Sequence, residues 1–144
     1  MATVQSVLER KGGQVVTIDV GETALAAAAL MNERGIGGLV VLDEGRIAGM
    51  FTERDILRRV VAARRDPAAT RVHEVMTTPV AYCRRETPLD ECRAVMTEKR
   101  IRHLPVLDDR GVCGIVTIGD LMAHDVTDRE TTIQYLNEYI FGVR

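Results

Sequence analysis

Aromatic residues are scarce in this chain of 144 residues: three Tyr, two Phe and no Trp, so the core must be aliphatic, built from Val, Leu, Ile, Ala and Met. Cysteine is scarce too. Cys83, Cys92 and Cys113 are odd in number and carry no CxxC spacing, which excludes a disulfide framework and a cysteine-based zinc site and leaves buried, reduced thiols as the expectation. No apolar run approaches the ~18 residues that a membrane span requires. The N-terminal stretch MATVQSVLERKGG lacks the basic and apolar regions of a signal peptide, so a cytoplasmic protein is expected. A strong excess of charge of either sign is missing as well: the balance of 19 basic against 21 acidic residues, net −2, argues against a general nucleic-acid binder. The local exception is Arg54, Arg58, Arg59, Arg64 and Arg65, either a solvated helix face or a basic rim for a phosphorylated ligand. Charge alone favours the former. Motifs for chemistry are also wanting. No Ser or Cys nucleophile is set beside a His, no His pair has metal-ligand spacing, and neither GxxxxGK[ST] nor GxGxxG occurs. A non-enzyme without a metal is expected.

What is present is a duplication. Residues 35–57 read GIGGLVVLDEGRIAGMFTERDIL and residues 100–122 read RIRHLPVLDDRGVCGIVTIGDLM. A constant offset of 65 carries Ile36 onto Ile101, Leu39 onto Leu104, Val41 onto Val106, Leu42 onto Leu107 and Asp43 onto Asp108. The same offset matches Gly49 with Gly114, Thr52 with Thr117 and Asp55 with Asp120. Both copies end in Gly-x-x-Thr-x-x-Asp. The length suits one ordinary domain or two small modules sharing a core, and a chain of this size buries roughly 70% of its unfolded surface.

Taken in order, Val4-x-x-Val7-Leu8 resembles Val72-x-x-Val75-Met76, each a short amphipathic turn. Strands are predicted at Val15–Ile18 and Val80–Cys83. Helices are predicted from Thr23 and Thr87, the second with Thr as N-cap and Pro88 at the first helical position. Matching those threonines makes the second helix one residue longer before its shared Met. The first, LAAAALM, is apolar nearly all round and is expected to be buried between other elements. Two strands then flank an Asp- and Gly-rich turn in each copy: Leu39–Leu42 with Ile47–Phe51, and Leu104–Leu107 with Val112–Val116. Pro105 lacks an N–H, so its strand is an edge there or bonded only on its other side. A helix opens at Thr52 and at Thr117. Arg64–Arg71 is a linker, and the stripe Ile133, Leu136, Tyr139 and Ile140 predicts a helical tail that either docks on the core or makes an oligomer contact. The fold class is therefore α/β (α+β): two β-α-β-β-α repeats, residues 4–65 and 66–126, about a pseudo-twofold axis, with a tail at 127–144.

The recurring Thr-x-x-Asp is, on its plainest reading, a helix cap. Its position after a strand in both copies supports a second reading. Free N–H groups and the helix dipole favour an anion there, a Thr hydroxyl can meet a phosphate, and the Asp can accept from a ribose diol. Gly49 and Gly114 let a backbone or a ligand come close, and apolar residues near Ile36 and Ile101 can flank a purine. Phosphate, ribose and base follow in that order.

The doubled pattern Gly-Ile-x-x-Leu-x-Val-Leu … Gly-x-x-Thr-x-x-Asp resembles the tandem cystathionine-β-synthase (CBS) domain pair, or Bateman module, in its stand-alone bacterial form, over roughly residues 4–126. That resemblance implies a ligand-sensing module for adenosyl compounds: AMP, ADP, ATP, NAD or S-adenosylmethionine. It implies ribose and phosphate contacts at Thr52, Asp55, Thr117 and Asp120, and adenine contacts at Thr17, Ile18, Val80 and Tyr82. Gly37, Gly38, Arg102 and His103 are expected to line the same cleft, with His103 either bonding a phosphate or sitting in a turn. Arg54 and Lys11 either reach a phosphate or face solvent, and Tyr82 either stacks on the base or fills the core. The resemblance makes two competent sites possible, one per aspartate, though many members of the family retain only one, and it implies a homodimer with an unidentified protein partner. The alternatives are an interaction module with empty sites and a regulator acting through its cysteines.

Overall fold

A computed structural model describes residues 1–125; the expected helical tail lies outside the described residues. The elements run α1 (Val4–Lys11), β1 (Thr17–Asp19), α2 (Ala24–Arg34), β2 (Gly38–Asp43), β3 (Arg46–Thr52), α3 (Glu53–Asp55), α4 (Val72–Val75), α5 (Leu89–Lys99), β4 (His103–Asp108), β5 (Gly111–Thr117) and α6 (Ile118–Asp125). A π-helical stretch, Ile56–Val61, continues α3. The class is the mixed one expected, with two matching repeats.

Both hairpins form where the turn chemistry places them. In the first, Glu44 and Gly45 both take positive φ (50° and 79°) between antiparallel β2 and β3, the conformation a two-residue hairpin loop demands. In the second, Asp108 Oδ1 accepts from the Arg110 N–H at 2.8 Å, and Gly111 pairs opposite Asp108.

Each hairpin should carry a third, parallel strand, and here the copies differ. β1 pairs with β2 from Thr17 to Asp19, and the Val40 N–H reaches Val16 O at 3.3 Å. The strand is thus shifted along the chain from the predicted Val15–Ile18. In the second copy the predicted strand Val80–Cys83 is reduced to a single bridge, Cys83 to Val106. Pro105 stands where the first copy has Val40. It has no N–H to offer the carbonyl of Ala81, so the ladder stops after the bonds Cys83 N–H to Pro105 O and Leu107 N–H to Cys83 O, each 2.9 Å.

The helices also correct the reading. α5 begins at Leu89 with Pro88 as its N-cap, while Thr87 accepts from the Arg84 N–H. α2 and α5 each hold 11 residues, so the offset of 65 runs through them unbroken and Thr23 corresponds to Pro88. α2 is buried on one face only, through Ala24, Ala27 and Met31, while Leu25 stays 51% exposed. It packs on β2, α4 and the π-helical stretch and has nothing on its far side among the described residues.

The two cores exchange helices. Val4, Val7 and Leu8 of α1 sit in the core of the second copy, with Leu89, Cys92, Met96, Leu104, Val106, Val116 and Leu121. Val72 and Val75 of α4 sit in the core of the first, with Ala27, Met31, Leu39, Val41 and Phe51. Matching bonds dock each helix: Val4 N–H to Thr87 O answers Val72 N–H to Glu22 O, and Leu89 N–H to Ala2 O answers Ala24 N–H to Thr70 O. The resemblance of Val4-x-x-Val7 to Val72-x-x-Val75 is therefore structural.

Between the copies, β3 lies against β5. The His103 ring packs on Gly38, 3.2 Å from where a Cβ there would stand. Gly38 and His103 are the same position in the two copies. A residue that meets its own counterpart marks the pseudo-twofold axis.

Candidate functional site

The two Thr-x-x-Asp segments leave β3 and β5 beside that axis. In each, the strand's last residue caps the following turn. Asp55 Oδ2 accepts from the Thr52 N–H at 3.0 Å, and Asp120 Oδ2 accepts from the Thr117 N–H at 2.9 Å. Thr117 Oγ1 in turn accepts from the Asp120 N–H at 3.2 Å. The capping role is thus present in both copies.

Beyond the cap the aspartates part company. Asp55 is buried, 4% exposed. Its Oδ1 accepts from Thr77 Oγ1 at 2.8 Å and lies 3.7 Å from Arg59 Nε. The Thr52 hydroxyl donates to Oδ2 at 3.3 Å. Thr77 is held by paired backbone bonds with Met50, at 3.0 and 2.7 Å, and Arg59 donates to Met76 O at 2.7 Å. Both carboxylate oxygens of the first copy are occupied by rigid parts of the chain. Asp120 keeps 21% of its side-chain surface. Lys11, from the exchanged α1, donates to its Oδ2 at 2.9 Å and to Ile115 O at 3.0 Å. Asp120 Oδ1 has no hydrogen bond among the described residues.

Gly49 and Gly114 allow close approach, and what approaches is the exchanged segment. A Cβ on Gly49 would stand 2.8 Å from Thr77 O and 2.7 Å from Met76 Sδ; one on Gly114 would stand 2.6 Å from Leu8 Cδ2.

Gly37 O accepts from the Glu53 N–H, and Arg102 O from the Ile118 N–H, both at 3.0 Å, in corresponding positions. His103 is half-buried, and its ring and the Thr52 methyl both close on Gly38. Burial pushes its pKa down, Arg102 and Lys11 push the same way, and Glu53 and Asp120 oppose them. Lys11, Thr117, Asp120, His103, Gly38 and Thr52 therefore gather around the axis, with Glu53 joining them. Thr17 is exposed on β1, and Ile18 lies in the first core. Val80 is half-buried. Tyr82 is 51% exposed, with the Arg84 guanidinium 5.6 Å from its ring centroid, so it does not fill the core. Arg54 crosses to the other copy and donates to Arg100 O at 2.7 Å, at the end of α5. Thr77 and Glu53 went unremarked in the sequence, and Arg59 was marked only as one of a group of arginines, not as a partner of Asp55. Only the likeness of the α1 and α4 segments hints that residues after α4 reach a motif.

The cavity at the second motif, lined by Val7, Arg10, Lys11, Asp120 and Ala123, holds about 30 Å³. That is room for a water and far below the roughly 300 Å³ of a small-molecule pocket. A larger hollow of about 540 Å³ lies at the β2–β3 turn, along Asp43, Glu44, Arg46, Ile47 and Ala48. It is remote from both motifs, and none of these chemical groups converges in it. Among the described residues no cluster of His, Cys, Asp or Glu is placed to hold a metal, and no helix is long and apolar enough to cross a membrane. All three cysteines are free. Cys83 and Cys92 lie in the second core, where contact with the Cys92 sulfur and burial push the Cys83 thiol up. Burial also raises Cys113.

Comparison with known proteins gives two matches to the CBS domain model, at residues 6–62 and 72–126. The chain is 34% identical to the mitochondrial CBS domain-containing protein CBSX3 of Arabidopsis thaliana, over 97% of this chain and 72% of that one. Its fold matches a CBS-domain protein of Burkholderia ambifaria with a TM-score of 0.85 and 43% identity, covering 89% of this chain and 96% of that one. A CBS-CP12 protein from bloom-forming cyanobacteria, described as hexameric, matches with a TM-score of 0.76 and 27% identity over 99% of this chain and 86% of that one.

Proposed function

The chain belongs to the CBS-domain family, and we propose that it is a regulatory module, acting in the cytoplasm, that binds an adenine nucleotide in the cleft between its two repeats. The candidates are AMP, ADP, ATP and NAD, with S-adenosylmethionine as the remaining adenosyl ligand. The observation that carries the reading is the group beside the axis. Asp120, whose Oδ1 has no hydrogen bond among the described residues, meets the Lys11 ammonium and the Thr117 cap, and His103 pairs opposite Thr117 across β4 and β5. A carboxylate suits a ribose diol, and an ammonium suits a phosphate. Among the described residues the site supplies binding groups and no nucleophile–base pair, which supports a sensor rather than a catalyst. The cavity against Asp120, at about 30 Å³, admits no nucleotide, so a ligand that reaches this carboxylate must move Lys11 aside. That requirement couples occupancy to shape.

The module acts as a homodimer in this reading. Leu57 and Val61 on the π-helical stretch, and Ile118 and Met122 on α6, are exposed by 61, 63, 37 and 63%. Leu57 and Met122 are equivalent positions, so two like apolar ridges await cover, and a second copy supplies it. Light scattering checks this point; a strict monomer would refute it. The burial of Cys83 and Cys92 gives the redox alternative little support.

A thermal-shift panel with AMP, ADP, ATP, NAD and S-adenosylmethionine tests the binding itself. A ligand at about 100 times its dissociation constant adds about 2.7 kcal/mol, a shift of several degrees for a chain of this size. No shift with any of the five at millimolar concentration would sink the reading.

A further inference from the structure

The two motifs have the same sequence signature but different internal partners, and the difference is chemical. Both Asp55 oxygens accept hydrogen bonds, Oδ2 from the Thr52 N–H and hydroxyl and Oδ1 from the hydroxyl of Thr77, whose backbone is paired with Met50, and the Arg59 guanidinium lies 3.7 Å from Oδ1. A ribose diol at Asp55 would have to displace the Thr77 hydroxyl, which sits on the exchanged α4 segment bridged to β3 at Met50. Besides the Thr117 N–H, Asp120 Oδ2 meets one flexible side chain, that of Lys11, and Oδ1 has no hydrogen bond among the described residues. Lys11 is the last residue of α1, followed by Gly12 at φ 88°, its side chain is 30% exposed, and its ammonium can swing away by giving up Asp120 and Ile115 O while every backbone–backbone bond stays in place. Arg10 and Lys11 line the small cavity against Asp120.

We propose that the second copy is the sole nucleotide site, and that Lys11 is both its latch and its phosphate reader. This rests on the adenine-nucleotide reading above and deepens it. In the closed state the Lys11 ammonium neutralises Asp120. The incoming ribose diol donates its two hydroxyls to Asp120 and displaces the ammonium, which turns to the phosphate. A ligand that carries both a diol and a phosphate replaces both halves of the broken ion pair. A nucleoside breaks the pair and leaves the ammonium without a counter-charge. Lys11 therefore sets a preference for nucleotide over nucleoside. The first motif stays a structural joint, so each chain takes one ligand.

Calorimetric titration of AMP and of adenosine into the wild-type protein, Asp120→Asn and Lys11→Met tests this. The expected results are one AMP per chain, loss of AMP binding in Asp120→Asn, and an AMP-over-adenosine preference that falls about tenfold or more in Lys11→Met, the scale of one charge-assisted bond. Circular dichroism of both variants, with unchanged unfolding cooperativity, establishes that they are folded. Two AMP per chain, or wild-type affinity in folded Asp120→Asn, would overturn the single-site assignment. An unchanged AMP-to-adenosine ratio in Lys11→Met would overturn the latch while leaving nucleotide binding intact. Failure of the wild type to bind any adenosyl ligand would instead refute the reading on which this rests.

Discussion

Consider alanine in place of each motif aspartate, measured as stability with no ligand present. In Asp55→Ala the Thr52 N–H loses its cap, a loss of about 1 kcal/mol in typical cases. The Thr77 hydroxyl, 2.8 Å from the missing oxygen, loses its acceptor in a half-buried place, at about 1–3 kcal/mol. Arg59 at 3.7 Å adds little, since it is half exposed and keeps its bond to Met76 O. The total is about 2–4 kcal/mol. At the roughly 3–4 °C per kcal/mol expected of a chain this long, the midpoint falls by about 10 °C. In Asp120→Ala the cap of Thr117 N–H is lost, again about 1 kcal/mol, but the ion pair with Lys11 is partly solvated and contributes under about 1 kcal/mol. The midpoint falls by about 3–8 °C. Scanning calorimetry of the two variants under one buffer gives the comparison directly. Equal losses, or a larger loss for Asp120→Ala, would refute the division of the two motifs into a joint and a site.

Gly49→Ala places a methyl 2.8 Å from Thr77 O, a backbone atom locked to Met50, and should cost about 1–3 kcal/mol in urea denaturation. Gly114→Ala meets only the end of the Leu8 side chain and should cost less; the reverse order would count against the docking of the exchanged segments. His103 titrates below its ordinary value of 6.5 in the folded chain, chiefly through burial. As pH falls below about 6.5 the unfolded chain takes the proton first, and stability declines until the folded pKa is passed. His103→Gln should flatten that decline in urea midpoints between pH 7.5 and 5.5, and an equal slope in both proteins would show that His103 does not face a desolvated pocket.

Much of this was readable in advance because it depends on neighbours in the chain. The Glu44-Gly45 turn requires positive φ, and the pattern of apolar residues names the strands on either side of it. Thr52 and Thr117 cap because an aspartate stands three residues on. Even the shortened ladder of the second copy follows from Pro105 having no N–H, although the missing strand was still predicted at Val80–Cys83. Matching Thr87 with Thr23 misled by one residue, because capping motifs look alike at neighbouring registers while the packing of Met31 and Met96 holds the helices to the common offset.

The sequence by itself determined the duplication, the hairpins, the capped turns and the family. Tertiary structure alone decided which core each short amphipathic helix enters, since Val4, Val7 and Leu8 present the same stripe as Val72, Val75 and Met76 and fit either. That choice sets the two aspartates apart. Thr77 reaches Asp55 across 22 residues of chain and Lys11 reaches Asp120 across 109. Identical motifs become unlike sites because a carboxylate's lone pairs are filled by whatever the fold brings to them, and no local pattern records what arrives from so far away.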